Sequence, residues 1–238
     1  MTIGFSDGVL HNLFNQESDR HKAGYLKYIN FNAVELHCIN ESLMDEMINN
    51  LDNKLYSEFL YISLHAPAFS WNNDKNISLL KKIRLIFVKF NIKNVVIHPD
   101  EIKDWSIFEK FKDLPLSLEN MDRDKKAYKN IKSLKEIINK YGFMLTLDLN
   151  HCYDNDETMI LAEDFQDEFK DKIVEYHISG YDKEKKHTTL FDKSEQIRII
   201  NSIKFKNIPI IIESCFNKAY DVKKEYKYIE DCLRTRLT

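Results

Sequence analysis

Eight short apolar runs rich in β-branched and aromatic residues recur along this 238-residue chain, and their spacing limits its fold more than any other feature. They occupy residues 2–6, 33–37, 60–65, 94–98, 115–119, 143–148, 173–178 and 208–213. Between them lie stretches of helical periodicity. Leu79, Leu80, Ile83, Ile86, Phe87 and Phe90 fall on one face of such a stretch, with Lys81, Lys82, Arg84 and Lys89 off it. Eight units in this length come to about 30 residues each, the size of one strand plus one crossover helix. Strands that alternate with helices build a parallel sheet, and eight such units predict an α/β fold closed as a single (β/α)8 TIM barrel over residues 1–238. Gly142 is expected to end the helix before the sixth strand as a left-handed cap.

Charge and composition narrow the partners. Lys and Arg total 35 against 38 Asp and Glu, a net −3, so no global field attracts nucleic acid or an anionic membrane, although a local basic patch stays open. The longest apolar runs fall far short of a membrane span, and the N-terminus lacks a basic flank followed by an apolar signal core. A soluble, cytoplasmic protein with no membrane partner is the expectation. Cys38, Cys152, Cys215 and Cys232 show no CxxC spacing and read as reduced thiols.

The chemistry gathers at the strand ends. Seven of the runs end on or next to a chemical group: His37, His65, His98, Glu119, Asp148 (with His151 three residues later), His177 (just before Ile178) and Glu213. The C-terminal ends of all strands in such a barrel converge on one face, where active sites form, so these scattered residues become neighbours. Converging carboxylates and imidazoles repel or stay poorly solvated without a cation among them, and this ligand mixture suits Zn²⁺ or Mn²⁺. Strand alternation supports the inward orientation: Ser117 below Glu119, Thr146 below Asp148 and Ser63 below His65 are small enough for a barrel interior. Strand seven fits less simply. Glu175 shares a face with His177, so either a bulge intervenes or Glu175 has a partner the sequence does not identify. Glu35 shares a face with His37, and either one reaches substrate or serves as a rim partner.

These segments carry a resemblance. VELH (34–37), SLHAP (63–67), VVIHPD (95–100), LSLEN (116–120), TLDLNH (146–151), YHISGYDKEKKH (176–187) and IIIES (210–214) resemble the xylose isomerase-like TIM-barrel superfamily from Gly4 to Glu213. That superfamily holds sugar isomerases and epimerases together with endonuclease IV-type apurinic-site nucleases. The isomerase and epimerase branch implies one divalent metal on Glu119, Asp148, His177 and Glu213, with Glu119 and Glu213 shuttling the proton. The nuclease branch implies two or three zinc ions and adds His65, His98, His151 and His187. Its Asp-x-His pair has Lys185 at the Asp position, so a third zinc requires Asp182 or Glu184 as substitute.

Two mechanisms follow from the resemblance, with one to three metal ions as cofactor. The leading reading is isomerisation or epimerisation of a sugar or sugar phosphate, with Glu35, His37 and Lys185 at the substrate; Lys185 or Lys186 would stand in for an arginine that several epimerases use. The alternative is phosphodiester hydrolysis on DNA, in which metals stabilise both attacking and leaving oxygens. Short loops and the lack of an evident basic or aromatic stretch weigh against DNA, and the lysines at 183, 185 and 186 read as a solvated loop. A barrel that binds metal or ligand without turnover is the third reading.

Overall fold

The computed structural model describes residues 1–10, 13, 31–70 and 72–235. Eight parallel strands close into a barrel: β1 (Ile3–Ser6), β2 (Ala33–His37), β3 (Tyr61–His65), β4 (Asn94–Ile97), β5 (Leu116–Glu119), β6 (Met144–Asp148), β7 (Ile173–Ile178) and, after an antiparallel hairpin of β8 (Gly180–Asp182) and β9 (Lys186–Thr188), β10 (Ile210–Ile212). The order around the barrel is β1, β10, β7, β6, β5, β4, β3, β2, so sequence neighbours pair and the last strand closes on the first. This is the α/β TIM barrel that the eight-fold rhythm predicts.

Each apolar run contains one barrel strand, with ends trimmed for physical reasons. Pro115 and Pro209 lack an N–H, and both lie just outside their strands while their carbonyls still accept from Val95 and Tyr176 at 2.8 and 2.9 Å. His98 precedes Pro99 and sits one residue beyond β4. Glu213 lies one residue beyond β10, but its N–H still donates to Ile178 O at 2.9 Å, which keeps it in the barrel rim.

The helices are α1 (Glu41–Asn49), α2 (Asn73–Phe90), α3 (Ile131–Tyr141), α4 (Leu149–Asn155), α5 (Ile160–Glu168), α6 (Arg198–Asn201) and α7 (Ala219–Thr235). α2 buries Leu79, Leu80, Ile83, Ile86 and Phe90 as its periodicity requires, with Phe87 half-buried. Asn72 caps its first turn by accepting from Asp74 and Lys75 N–H. Gly142 ends α3 at φ +79°, donating its N–H to Ile138 O. Between β4 and β5 a 3₁₀ segment, Trp105–Phe111, takes the crossover helix's place and buries Trp105, Phe108 and Phe111.

Most strand residues are buried on both faces, as the helix layer outside and the packed interior require. In β2, Val34 and Leu36 join the apolar core, while Glu35 between them is wholly buried within the barrel. No disulfide joins the four cysteines. Among the described residues, no helix is long and apolar enough to cross a membrane.

Candidate functional site

At the C-terminal mouth, β5, β6 and β7 and the residue after β10 deliver Glu119, Asp148, His177 and Glu213. Their ligating atoms all lie within 4.8 Å of one another. Two more groups meet the same criterion: His65 and His98 with Glu119, and, lower in the barrel, Glu35 and Glu175 with His177, so Glu119 and His177 each belong to two groups. His177 Nδ1 stands 3.4 Å from Glu119 Oε1 and 3.5 Å from Glu213 Oε2. His98 Nε2 approaches Glu119 Oε2 to 2.8 Å and His65 Nε2 to 3.4 Å.

The electrostatics reflect burial first and neighbours second. Burial alone would raise the Glu119 carboxyl, yet the charges of His98 and His177, with the close approach of the His177 and His65 rings, hold it well below the usual carboxylate range. Glu213 goes the other way: burial and the charges of Glu35, Glu119 and Asp148 outweigh His177 and push it up to about 8. Asp148 is raised to about 6, chiefly by burial, with the Glu119 charge opposing the pull of His151 and His177. Burial opposes charge on His65, but the contact with Glu119 and the surrounding carboxylates raise it to about 9.

This donor set fits a divalent cation. Asp148 Oδ2 and His177 Nδ1 are buried and make no hydrogen bond, an expensive state for polar atoms with nothing to coordinate. Hard carboxylate oxygens and borderline imidazole nitrogens together match Zn²⁺ or Mn²⁺.

Local structure holds these groups in place. Asp148 caps α4, accepting from His151 N–H at 2.8 Å, so the helix itself fixes the three-residue spacing from Asp148 to His151. His151 Nδ1 lies 2.8 Å from Asn120 O and stands 3.5 Å from Asp148 Oδ2 and 3.6 Å from Glu119 Oε1. Asn120 also pairs with the Asp148 backbone in both directions, 2.7 and 2.9 Å, and locks β5 to β6 directly beneath the site. Asn150 ties the β8–β9 hairpin down through Gly180 O and Lys186 O at 2.7 and 3.3 Å. Neither asparagine stands out in the sequence beyond following a strand-end carboxylate.

The remaining expected residues separate. His187, on β9, reaches the mouth: its Nδ1 lies 3.0 Å from Ser179 Oγ and 4.0 Å from Glu213 Oε2, and burial beside His151 pushes it down to about 4. His37 stands at the rim with its ring edge-on to His65 at 5.0 Å. Glu35 is not at the rim. It is buried beneath His177, with Oε2 3.1 Å from His177 Nε2. Lys185 is exposed in the turn of the hairpin, and Lys186 reaches Asp124 at 2.6 Å. Asp182 accepts from Glu184 N–H and pairs with Lys193 at 3.2 Å, while Glu184 is exposed. Of the two readings of β7 the second holds: the register with β6 slips before Glu175, between Leu145 and Thr146, so no bulge separates Glu175 from His177, and Glu175 has its partner in His177 Nε2 at 3.0 Å.

The geometry can be set beside known structures. The chain superposes on a D-tagatose 3-epimerase-like protein with a TM-score of 0.67 at 19% identity, covering 100% of both chains. Its fold is that of the xylose isomerase-like TIM barrels. Endonuclease IV from Thermus thermophilus matches with a TM-score of 0.69 at 12% identity over 99% of this chain and 100% of that one. L-ribulose 3-epimerase gives 0.69 at 14% identity over 99% and 95%. No protein-family model and no curated protein matches the sequence. Sugar epimerases and a nuclease share this barrel, so the reaction has to be argued from the side chains at its mouth.

Proposed function

We propose that the chain is a divalent-metal-dependent isomerase or epimerase acting on a sugar or sugar phosphate. The observation that carries this reading is that Glu119 and Glu213 face one space from non-adjacent strands, within a single group completed by Asp148 and His177. Those four residues would hold the metal, which supplies Lewis acidity to a neighbouring hydroxyl and carbonyl. The two glutamates carry opposite shifts, Glu119 down and Glu213 up to about 8. Two carboxylates that face one space from non-adjacent strands can serve as proton acceptor and proton donor, as moving a proton between adjacent carbons or opposite faces requires. His65, His98, His151 and His187 ring the same mouth with nitrogens suited to sugar hydroxyls. The chain's similarity to solved sugar epimerases supports the same reading.

Phosphodiester hydrolysis is the second reading, favoured by one feature: His65 and His98 join Glu119 in a group of their own that could hold a further ion. The exposed Lys185 in place of a carboxylate, with Asp182 engaged elsewhere, counts against a complete three-metal centre.

The test is a pair of measurements. Ions per chain are counted by elemental analysis on protein purified without chelators, and the Mn²⁺-loaded protein is incubated in D₂O with ketoses and ketose phosphates. One ion per chain and deuterium entering beside the carbonyl in wild type, absent in Glu213→Gln, are expected. Two or more zinc ions with cleavage of abasic DNA and no deuterium incorporation would replace this reading by the hydrolase.

A further inference from the structure

We infer that Glu175 is a positioning residue: it holds the proton on His177 Nε2 and so turns the Nδ1 lone pair toward the metal site. This rests on the metal reading above and concerns a side chain outside the mouth. After the slip in register between β6 and β7, the pairing runs regularly from Thr146 with Glu175 to Asp148 with His177, so strand alternation places Glu175 two residues below His177 on the same face. Both are wholly buried.

The two nitrogens of His177 meet different surroundings. Nε2 lies 3.0 Å from Glu175 Oε1 with hydrogen-bond geometry, and Glu35 Oε2 stands 3.1 Å away on the other side. Nδ1 makes no hydrogen bond although it is buried, and it sits 3.4 and 3.5 Å from carboxylate oxygens of Glu119 and Glu213. The lower contact has the length of a bond that holds a proton. The upper separations are those of atoms arranged around a common centre. An imidazole that ligates a metal through one nitrogen commonly donates its other N–H to a carboxylate, which fixes tautomer and ring orientation and raises ligand basicity.

The barrel interior argues for the same role. That layer is normally filled by bulky apolar side chains, and a carboxylate there is costly unless it is paired. Glu175 shares its depth with Glu35 and Ser63, a register pair of β2 and β3. The Tyr61 and Ser63 hydroxyls also face Glu175, but the bond formed with full hydrogen-bond geometry is the one from His177 Nε2. A purely structural design would place a leucine or methionine there.

The experiment measures Mn²⁺ and Zn²⁺ affinity of wild type, Glu175→Gln and Glu175→Met by competition with a chromogenic chelator, alongside the melting temperature of the chelated proteins. Glu175→Met removes the acceptor but fills the space; it is expected to keep or raise the metal-free melting temperature while weakening both ions about 10- to 100-fold. Glu175→Gln, whose amide oxygen still accepts, is expected to recover most of that loss. Since a variant could misfold, ¹⁵N-histidine NMR on the wild-type chain gives an independent reading: a slowly exchanging Nε2 proton on His177 is expected, and its absence overturns the inference. A wild type that binds with an equally tight Glu175→Met variant overturns the role of Glu175 alone. A wild type that binds neither ion overturns the metal reading along with it.

Discussion

His98 and Glu119 meet at 2.8 Å, Nε2 to Oε2, at the residue shared by two groups of side chains that could hold a metal ion. Glu119 is buried, whereas the His98 side chain keeps 31% of its surface exposed at the rim. The four-residue group closes without His98, so on the proposed reaction His98→Ala is expected to leave affinity for the first Mn²⁺ within about threefold and to raise KM. Calorimetric Mn²⁺ titration and initial rates check this. Loss of one bound ion from the variant would instead identify His98 as a ligand.

Metal binding should be visible in stability. An ion that binds only the folded chain contributes RT ln(1 + [L]/Kd), about 2.7 kcal/mol at 100 times Kd, and a chain of this size shifts by about 2–4 °C per kcal/mol. Adding Mn²⁺ or Zn²⁺ at that excess to chelated protein should raise Tm by about 5–10 °C in wild type and much less in Asp148→Asn. Equal shifts in both proteins would place the ion elsewhere.

Acid–base behaviour of the chelated chain follows from the same crowding. His65, ordinarily near 6.5, is raised to about 9 when folded, and Glu213, ordinarily near 4.5, to about 8. Both therefore bind a proton more tightly in the folded state. The stabilisation from His65 is complete below pH 6.5 and lost as pH rises through about 9; that from Glu213 is complete below pH 4.5 and lost through about 8. The melting temperature of chelated protein should thus fall between pH 6.5 and 9, and fall less in His65→Gln. Calorimetry across that range showing a flat or rising Tm would contradict these shifts.

Where β1 and β2 pass, the barrel leaves room for no side chain at Gly4: a Cβ there would stand 1.9 Å from Ala33 O, a backbone atom that cannot yield without moving the strand. Gly4→Ala should destabilise by about 3 kcal/mol or more. At Gly8 the added Cβ would meet His37 Nδ1 at 2.1 Å and Cγ at 2.9 Å, side-chain atoms that χ1 rotation moves, with His37 Cβ at 3.1 Å. Gly8→Ala should cost about 1 kcal/mol and show itself as a changed KM, because it displaces a rim imidazole. Urea unfolding of the pair checks the order; equal losses would mean that β1 adjusts more freely than its pairing implies.

The barrel and the residues around Glu119 were legible in the sequence because a parallel barrel collects its strand ends, so position along each run is position in space. Period-2 alternation set Thr146 and Ser117 inside, and Thr146 Oγ1 indeed meets Ser117 Oγ at 2.7 Å and Asn94 Nδ2, from the non-adjacent β4, at 3.1 Å. Alternation gives a side chain's face and not its depth, which is why Glu35 could be paired with His37 as a rim residue yet lies a layer lower under His177. The turn after β6 was hidden for another reason. α4 begins at Leu149 because Asp148 caps it through His151 N–H, a bond that depends on backbone geometry rather than on apolar period. The hairpin of β8 and β9 is three residues per strand, too short for periodicity to register.

Glu225 connects the site to the C-terminal helix and gives a sharper test of what holds the mouth together. It is wholly buried on α7, and its Oε1 accepts from Ser214 Oγ at 2.6 Å and Leu190 N at 2.8 Å while Oε2 accepts from Phe191 N at 3.1 Å. Ser214 follows Glu213, and Leu190 lies three residues after His187, so one carboxylate fastens two segments that carry site residues. Glu225→Ala strands two backbone N–H groups and a hydroxyl, each costing about 1–3 kcal/mol when buried without a partner. A loss of about 3–5 kcal/mol is expected, with a smaller one for Glu225→Gln, whose single oxygen can keep Ser214 and Leu190 but not Phe191. Because Glu213 is held through Ser214, Glu225→Gln should also lower kcat more than it changes KM. Urea midpoints and steady-state rates of the two variants measure both effects, and an alanine variant within about 0.5 kcal/mol of wild type would show that the two segments are fixed by other bonds.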